Sequence, residues 1–285
     1  MYYRTAEIDL RGIMIQKIDA IEFKMKEEFD FGFLCEYGRI FKVFDDQDSG
    51  NICFGTEKGG RRYFIKFAGA KTAEYDGEPC DAVSRLKATV PIYENLRHKN
   101  LIEYMDSKEI GNGFAMIFKW EDGECMGRMY PELHRRFMSL SNDTKLKVFA
   151  DILDFMKYIS EQNFVAIDFY DGSIMYDFET QKTIICDIDF FRKSPVVNDM
   201  GRMWGSSVFM SLEEFEKGAV LDEITNVYTL GAMAFALFGN YERNFENWSL
   251  NKDSYNVAVK ATSDNRNNRY QSVEELIDEW NKYCI

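Results

Sequence analysis

The chain has 285 residues, 46% hydrophobic and 29% charged, with 48 acidic against 35 basic side chains and a net charge of −13. A chain of this length buries an ample core as one large domain or two lobes. Its acidity argues against nonspecific binding to nucleic acid or an anionic membrane, which reward basic patches; it is compatible with a cationic substrate, but solubility alone explains it.

The first 119 residues read mostly as strands with one inserted helix, residues 1–34 being an extra segment. The stretch before Arg39 reads as helix then strand. Arg39–Asp45, Asn51–Glu57 and Arg62–Ala68 are short runs rich in β-branched and aromatic residues, separated by DDQDSG and KGGR, and predict a meander of hairpins. Asp81–Leu96 predicts a helix with Val83, Leu86, Val90 and Tyr93 on one face, although Pro91 interrupts its second half. Leu101–Tyr104 and Phe114–Trp120 predict two more strands. After Glu121–Gly123 the spacing turns helical: Leu146, Phe149, Ile152, Leu153, Met156 and Ile159 follow the cap-like Ser141–Asp143. Ser211–Glu214 and Ser272–Glu275 fit the S-x-x-E capping box and predict a helix each, the second with Val273, Leu276, Ile277 and Trp280 on one stripe. The simplest division is 1–119 and 120–285, joined at Trp120–Gly123.

Cys35, Cys53, Cys80, Cys125, Cys186 and Cys284 form no CxxC, and His98 and His134 are the two histidines. Zinc sites favour paired ligands at short spacing, so neither set suggests one. With no secretory signal at the start, reduced thiols in a cytoplasmic protein are expected. The most apolar long stretch, Val227–Phe238, is shorter than the roughly 20 residues that span a bilayer.

The most informative stretch is Phe164–Arg192. Asp168 ends an apolar strand, Ser173 follows five positions on, and a hairpin returns to Asp187 and Asp189. Phosphoryl transfer asks little covalent chemistry of a protein. It needs one carboxylate near the attacking hydroxyl and others to hold magnesium on the nucleotide phosphates. Alternate residues of an extended backbone face one side, so Asp187 and Asp189 can both serve a metal. A solvated acidic turn is the bland alternative. Lys66 sits in the apolar run YFIK, where an unpaired charge is costly; it either meets an anion or snorkels to solvent.

These motifs, taken in order, resemble the protein-kinase fold in its bacterial and eukaryotic-like serine/threonine branch, over about residues 35–285. The resemblance implies an α+β, two-lobed architecture with an antiparallel-sheet N-lobe and a mainly helical C-lobe. YFIK (Tyr63–Lys66) resembles the family's VAIK strand, which implies that Lys66 binds the α- and β-phosphates of ATP. FVAIDFYDGSIMYD (Phe164–Asp177) resembles YVHRDLKPENILLD, which makes Asp168 the catalytic aspartate and puts Ser173 at a magnesium-binding asparagine. CDIDFF (Cys186–Phe191) occupies the place of DFG, with Asp187 the first choice for the magnesium aspartate and Asp189 the second.

The departures are specific. Ala166 and Ile167 replace the histidine and arginine before the catalytic aspartate, so switching by phosphate on the activation segment is not expected. DDQDSGN (Asp45–Asn51) replaces the glycine-rich loop, leaving the backbone of Ser49, Gly50 and Asn51 to cradle phosphate. Thr89 falls where the family has the helix glutamate that pairs with the lysine; Glu74, Glu78 and Glu94 are the candidates for that partner. GSSVFMSLEEF (Gly205–Phe215) resembles GTxxYMAPE, NVYTLG (Asn226–Gly231) resembles DVWSLG, and Arg269 stands at the arginine that pairs with the segment's glutamate, here Glu213. By the same resemblance Phe118 guards the back of the adenine pocket and Glu121 supplies hinge backbone. The implied function is ATP- and Mg2+-dependent phosphoryl transfer to a protein hydroxyl. The alternatives are a pseudokinase acting as a binding or scaffold module, and a phosphotransferase for small molecules of the aminoglycoside- or choline-kinase kind. No nucleic-acid or membrane partner is expected.

Overall fold

The computed structural model describes residues 12–284. The chain divides into two compact units, formed by the described parts of Met1–Asn95 with Ile102–Glu121 and of Leu96–Leu101 with Asp122–Ile285.

The first unit starts with an antiparallel hairpin of β1 (Met14–Ile18) and β2 (Ile21–Met25), then a 3-10 turn over Gly32–Tyr37. This corrects the helix-then-strand order expected before Arg39; residues 1–11 of that expectation lie outside the described residues. Burial along the hairpin has period two, with Gln16, Ile18, Phe23 and Met25 inward, the signature of half-buried strands. Asp19, at φ 53°, helps turn the chain between them.

β3 (Arg39–Phe44), β4 (Asn51–Lys58) and β5 (Arg61–Ala68) form the expected meander. The KGGR connection works because Gly59 and Gly60 both take positive φ, 59° and 76°, as a tight hairpin turn with the sheet's twist requires. α1 (Pro79–Asn95) continues through Pro91. That proline withholds one helix N–H, while the Asn95 side chain donates to the Pro91 carbonyl at 2.6 Å. β6 (Tyr104–Ile110) and β7 (Gly113–Lys119) complete an antiparallel sheet in the order β3-β4-β5-β7-β6. The strand expected at Leu101–Tyr104 is therefore displaced. β6 is an edge strand of mostly polar residues, so hydrophobic patterning points to the LIEY before it; Leu101 instead bridges Ile185.

One face of the sheet carries the core. Ile52, Phe54, Ile65, Phe67, Ala115 and Ile117 pack against Phe23, Met25, Phe31 and Leu34. The rings of Phe23, Phe31, Phe54 and Phe67 lie 5.0–6.1 Å apart, in tilted and edge-on pairs.

The second unit holds β8 (Glu124–Cys125), α2 (Pro131–Met138), α3 (Asn142–Glu161), β9 (Phe164–Val165), β10 (Ile174–Asp177), β11 (Lys182–Ile185), β12 (Arg192–Lys193), β13 (Val196–Val197), β14 (Val220–Leu221), α4 (Glu223–Gly239), α5 (Lys252–Ala261) and α6 (Val273–Cys284). Ser141 caps α3, its side chain accepting from Thr144 N at 3.2 Å. The Ser211 capping box is formed, but it opens a 3-10 turn over Leu212–Phe215 in place of the expected helix. Its continuation is diverted because Asn198 exchanges backbone hydrogen bonds with Gly218 and Ala219, leading into the β13–β14 pair. α4 is buried on nearly every side and is the centre of the unit. Phe149 of α3, Phe238 of α4 and Trp280 of α6 meet in one aromatic cluster. The whole is a mixed α+β protein with antiparallel sheets. None of the six cysteines is in a disulfide, and no helix among the described residues is long and apolar enough to cross a membrane.

Candidate active site

In the first unit, Lys66 pairs across the sheet with Cys53 on one side and Met116 on the other. Strand alternation puts it on the face opposite Ile65 and Phe67, away from the aromatic core. α1 lies on the lysine's face: Thr89 donates to the Leu86 carbonyl and reaches Met116 Sδ at 3.1 Å. A hydroxyl thus stands over the lysine's neighbour. Glu74, Glu78 and Glu94 are exposed. Phe118 is buried on the same face, its ring 5.0 Å from Tyr93 and 6.1 Å from Phe64, and Glu121 is half-buried just beyond β7.

The β3–β4 turn is tightly held. The Ser49 carbonyl accepts from Arg85 at 2.9 Å, and the Asn51 amide donates to Ser49 Oγ at 3.0 Å. Gly50 has φ 80°, and a Cβ there would come within 2.9 Å of the Tyr75 ring and of Ala82. Only glycine fits, for space as well as for backbone conformation.

In the second unit the Asp168 loop is suspended from α4. The Asn226 side chain accepts from Ala166 N at 2.8 Å and donates to the Phe164 carbonyl at 3.0 Å and Ser160 Oγ at 3.1 Å. Asn226 is fully buried, and it occupies both orphan backbone groups of the strand that ends in the loop. On the loop's other side, Phe169 packs edge-on to Phe191. Asp168 itself has φ 60° and Asp187 φ 54°. Both are left-handed conformations that are uncommon outside glycine, asparagine and aspartate, and such residues cluster at functional sites.

The β10–β11 hairpin joins Ser173 to the second acidic pair. Ile174 faces Ile185, and Cys186 N donates to the Ser173 carbonyl at 2.9 Å, so Asp187 comes directly beside the Gly172–Ser173 turn. Ser173 is fully buried and its Oγ has no hydrogen-bond partner in the structure. Asp187 is exposed, Asp168 and Asp189 half-buried.

Tyr170 follows Asp168 by two residues on the same loop. Burial first, then the charges of Asp168 and Asp187, push its phenol above the ordinary tyrosine range. Its ring folds back over Gly172 so closely that a Cβ there would collide with it. Burial, helped by the nearby Asp171 and Asp187, also holds the Cys125 thiol up at about 11, so this thiol is inert. Asp171 is buried and accepts from Tyr241 Oη at 2.5 Å and Arg128 N at 3.2 Å. It anchors the turn and is taken up by structure. Sequence reading missed Tyr170, Asp171 and the side-chain role of Asn226; the available signal was their place in the loop and helix motifs.

Beyond the loop, Gly205 passes close enough that its Cβ would lie 3.5 Å from Asp168 Cα. A small cavity beside Asp168 is lined by Ser206, Thr229 and Glu214 with Phe169, Phe209 and Met210. Glu213 and Arg269 form the expected buried pair, two-pronged at 2.7 and 3.0 Å, with Arg266 adding a contact at 2.9 Å. Burial works to raise the Glu213 carboxyl, but the Arg269 hydrogen bonds and the two guanidinium charges outweigh it and hold it below the usual range.

Glu214 behaves oppositely. It is buried and accepts from Ser211 N at 2.7 Å and Ser211 Oγ at 2.9 Å. Burial dominates and lifts its carboxyl to about 7. Because the folded value lies above the unfolded one near 4.5, the native state binds the extra proton, and this stability is lost as pH rises from about 4.5 to 7. We expect Glu214→Gln to remove that slope, changing the wild-type-minus-variant unfolding free energy by up to about 3 kcal/mol across the window. Urea titrations at pH 4.5 and 7.5 read it directly; parallel curves for the two proteins would refute the assignment.

Among the described residues no group of three or more His, Cys, Asp or Glu side chains is placed to hold a metal. Two carboxylates with a hydroxyl do suit magnesium, which keeps waters and takes substrate phosphates as further ligands.

No family model matches the chain. It is similar to the dual specificity protein kinase zak2 of Dictyostelium discoideum, 20% identical over 217 residues that cover 68% of this chain and 34% of that protein. It is likewise similar to the serine/threonine-protein kinase dkf-2 of Caenorhabditis briggsae, 25% identical over 162 residues, 55% of this chain and 13% of that one. The dual specificity protein kinase zakA of D. discoideum is 21% identical over 217 residues, 68% and 26% of the respective lengths. The chain thus spans about a third or less of these relatives. The matches suggest a distant, kinase-like relationship, and the mixed α+β structure with antiparallel sheets is compatible with it.

Proposed function

We propose that the chain is an ATP- and magnesium-dependent phosphotransferase, a divergent serine/threonine protein kinase that acts on a protein hydroxyl. The observation that supports this most is the β10–β11 hairpin, which sets Asp187 beside the Gly172–Ser173 turn through the 2.9 Å bond from Cys186 N to the Ser173 carbonyl and buries an unpartnered Ser173 Oγ on the turn that follows the Asp168 loop. In this reading Asp168 orients the acceptor hydroxyl and takes its proton. The acceptor oxygen bonds to the γ-phosphorus as the bridging P–O bond breaks, and the electron pair leaves with ADP. Asp187 and Ser173 would hold magnesium, with Asp189 in reserve, and the ion would supply neutralisation of phosphate charge. Lys66 is assigned to the α- and β-phosphates, and Phe118 and Glu121 to the adenine. The backbone of Ser49, Gly50 and Asn51 is assigned to phosphate, although Gly50 and Asn51 are buried.

That burial favours a second reading, a pseudokinase acting as a binding or scaffold module without turnover. Thermal unfolding separates the cases. A ligand specific to the native state stabilises it by about 2.7 kcal/mol at a hundred times its Kd, so saturating Mg-ATP is expected to raise Tm by several degrees. An unchanged Tm refutes nucleotide binding. A raised Tm without transfer to any protein or metabolite supports the module, and transfer to metabolites alone supports a small-molecule phosphotransferase.

A further inference from the structure

Exposed apolar side chains are concentrated in one place. Of the eleven large hydrophobic residues exposed among the described residues, six lie between 197 and 220: Val197, Met200, Trp204, Leu212, Phe215 and Val220, each 40–58% exposed. Two chain segments carry them, and hydrogen bonds stitch those segments together. Val197 pairs with Val220 across β13–β14, Asn198 exchanges backbone bonds with Gly218 and Ala219, its amide reaches the Glu213 carbonyl, and Met203 N donates to the Glu214 carbonyl at 2.8 Å. Leu212 and Phe215 are three apart on a 3-10 turn and share a side of it. Monomeric proteins rarely expose apolar surface so concentrated.

The charge on this face selects its occupant. The exposed ionic residues of the two segments are Asp199 and Glu216 against Arg202 and Lys217, a balanced set on a chain whose net charge is −13. A basic partner would be drawn to the acidic remainder of the surface. Two copies of this chain repel each other least where the local surface is neutral, and a self-complementary patch of mixed charge is what a two-fold contact uses. We propose that this face docks a second copy of the chain, burying Trp204 and the Val197–Val220 pair reciprocally.

Sedimentation velocity of the full chain over a wide concentration range tests this. A monomer–dimer equilibrium is expected, and it should tighten with added salt, because screening relieves the like charge of the two copies. Trp204→Glu combined with Val197→Asp should weaken it by roughly 100-fold, since both copies then bring unpaired carboxylates into the contact. Leu212→Asp is the second variant should that pair disturb folding, and Met105→Asp, exposed in the first unit, should leave the dimer intact. A chain monomeric at every concentration, or a dimer indifferent to the patch variants, overturns the proposal; the first result would leave the face to a different protein.

Discussion

Asp168→Asn is expected to reduce γ-phosphate turnover by roughly 10²–10⁴-fold, the usual contribution of a positioned acid–base group, while Mg-ATP still raises Tm. The substitution is a clean one for a local reason. Asp168 has φ 60°, a conformation that asparagine tolerates as well as aspartate does. The loop is fixed from outside by Asn226 holding Ala166 and Phe164 and by Phe169 against Phe191. The backbone should therefore stay in place, so a loss of turnover reports the lost proton acceptor. Turnover equal to wild type would remove Asp168 from the reaction.

Arg269→Met should cost about 3–5 kcal/mol of stability, the range for breaking one side of a buried ion pair. Arg269 is 0% and Glu213 5% exposed at the side chain, so the surviving carboxylate loses two charge-assisted hydrogen bonds and gains no water. Arg266, at 2.9 Å and 27% exposed, remains and should hold the cost toward the lower end. In urea unfolding the midpoint should fall with little change in m. Adding Glu213→Leu should recover part of the loss, because an apolar pair of similar volume spares the desolvation of both charges. A fall below about 1 kcal/mol, the scale of an exposed pair, would show that these two charges are not buried together.

Short runs of β-branched and aromatic residues made β3, β4 and β5 legible, and two glycines in a row announced the turn between β4 and β5. The same rule hid β6. An edge strand reading YMDSKEI satisfies its backbone without apolar alternation, so patterning favoured its neighbour. The Ser211 box was legible as a cap, but the path of the chain beyond a cap depends on tertiary pairing, and Asn198 pulls that stretch into β14. The loop motifs were legible as a series of residue types at set intervals. Hidden from the sequence was how the side chains are used. Asn226 reads as an ordinary helix opening until its amide is seen spanning two strand-end backbone groups. Glu214 reads as a surface capping residue, and only packing turns it into a buried acid beside the Asp168 cavity.

Function is decided by whether the Asp168–Ser173–Asp187 hairpin is a magnesium–nucleotide site. A crystal structure of the full chain with a non-hydrolysable ATP analogue and Mg2+ tests that most directly. The prediction is one magnesium bound by Asp187 and the Ser173 hydroxyl at about 2.0–2.1 Å, with the γ-phosphate facing Asp168. Nucleotide bound elsewhere, or magnesium held by other groups while Ser173 stays sealed, would contradict it.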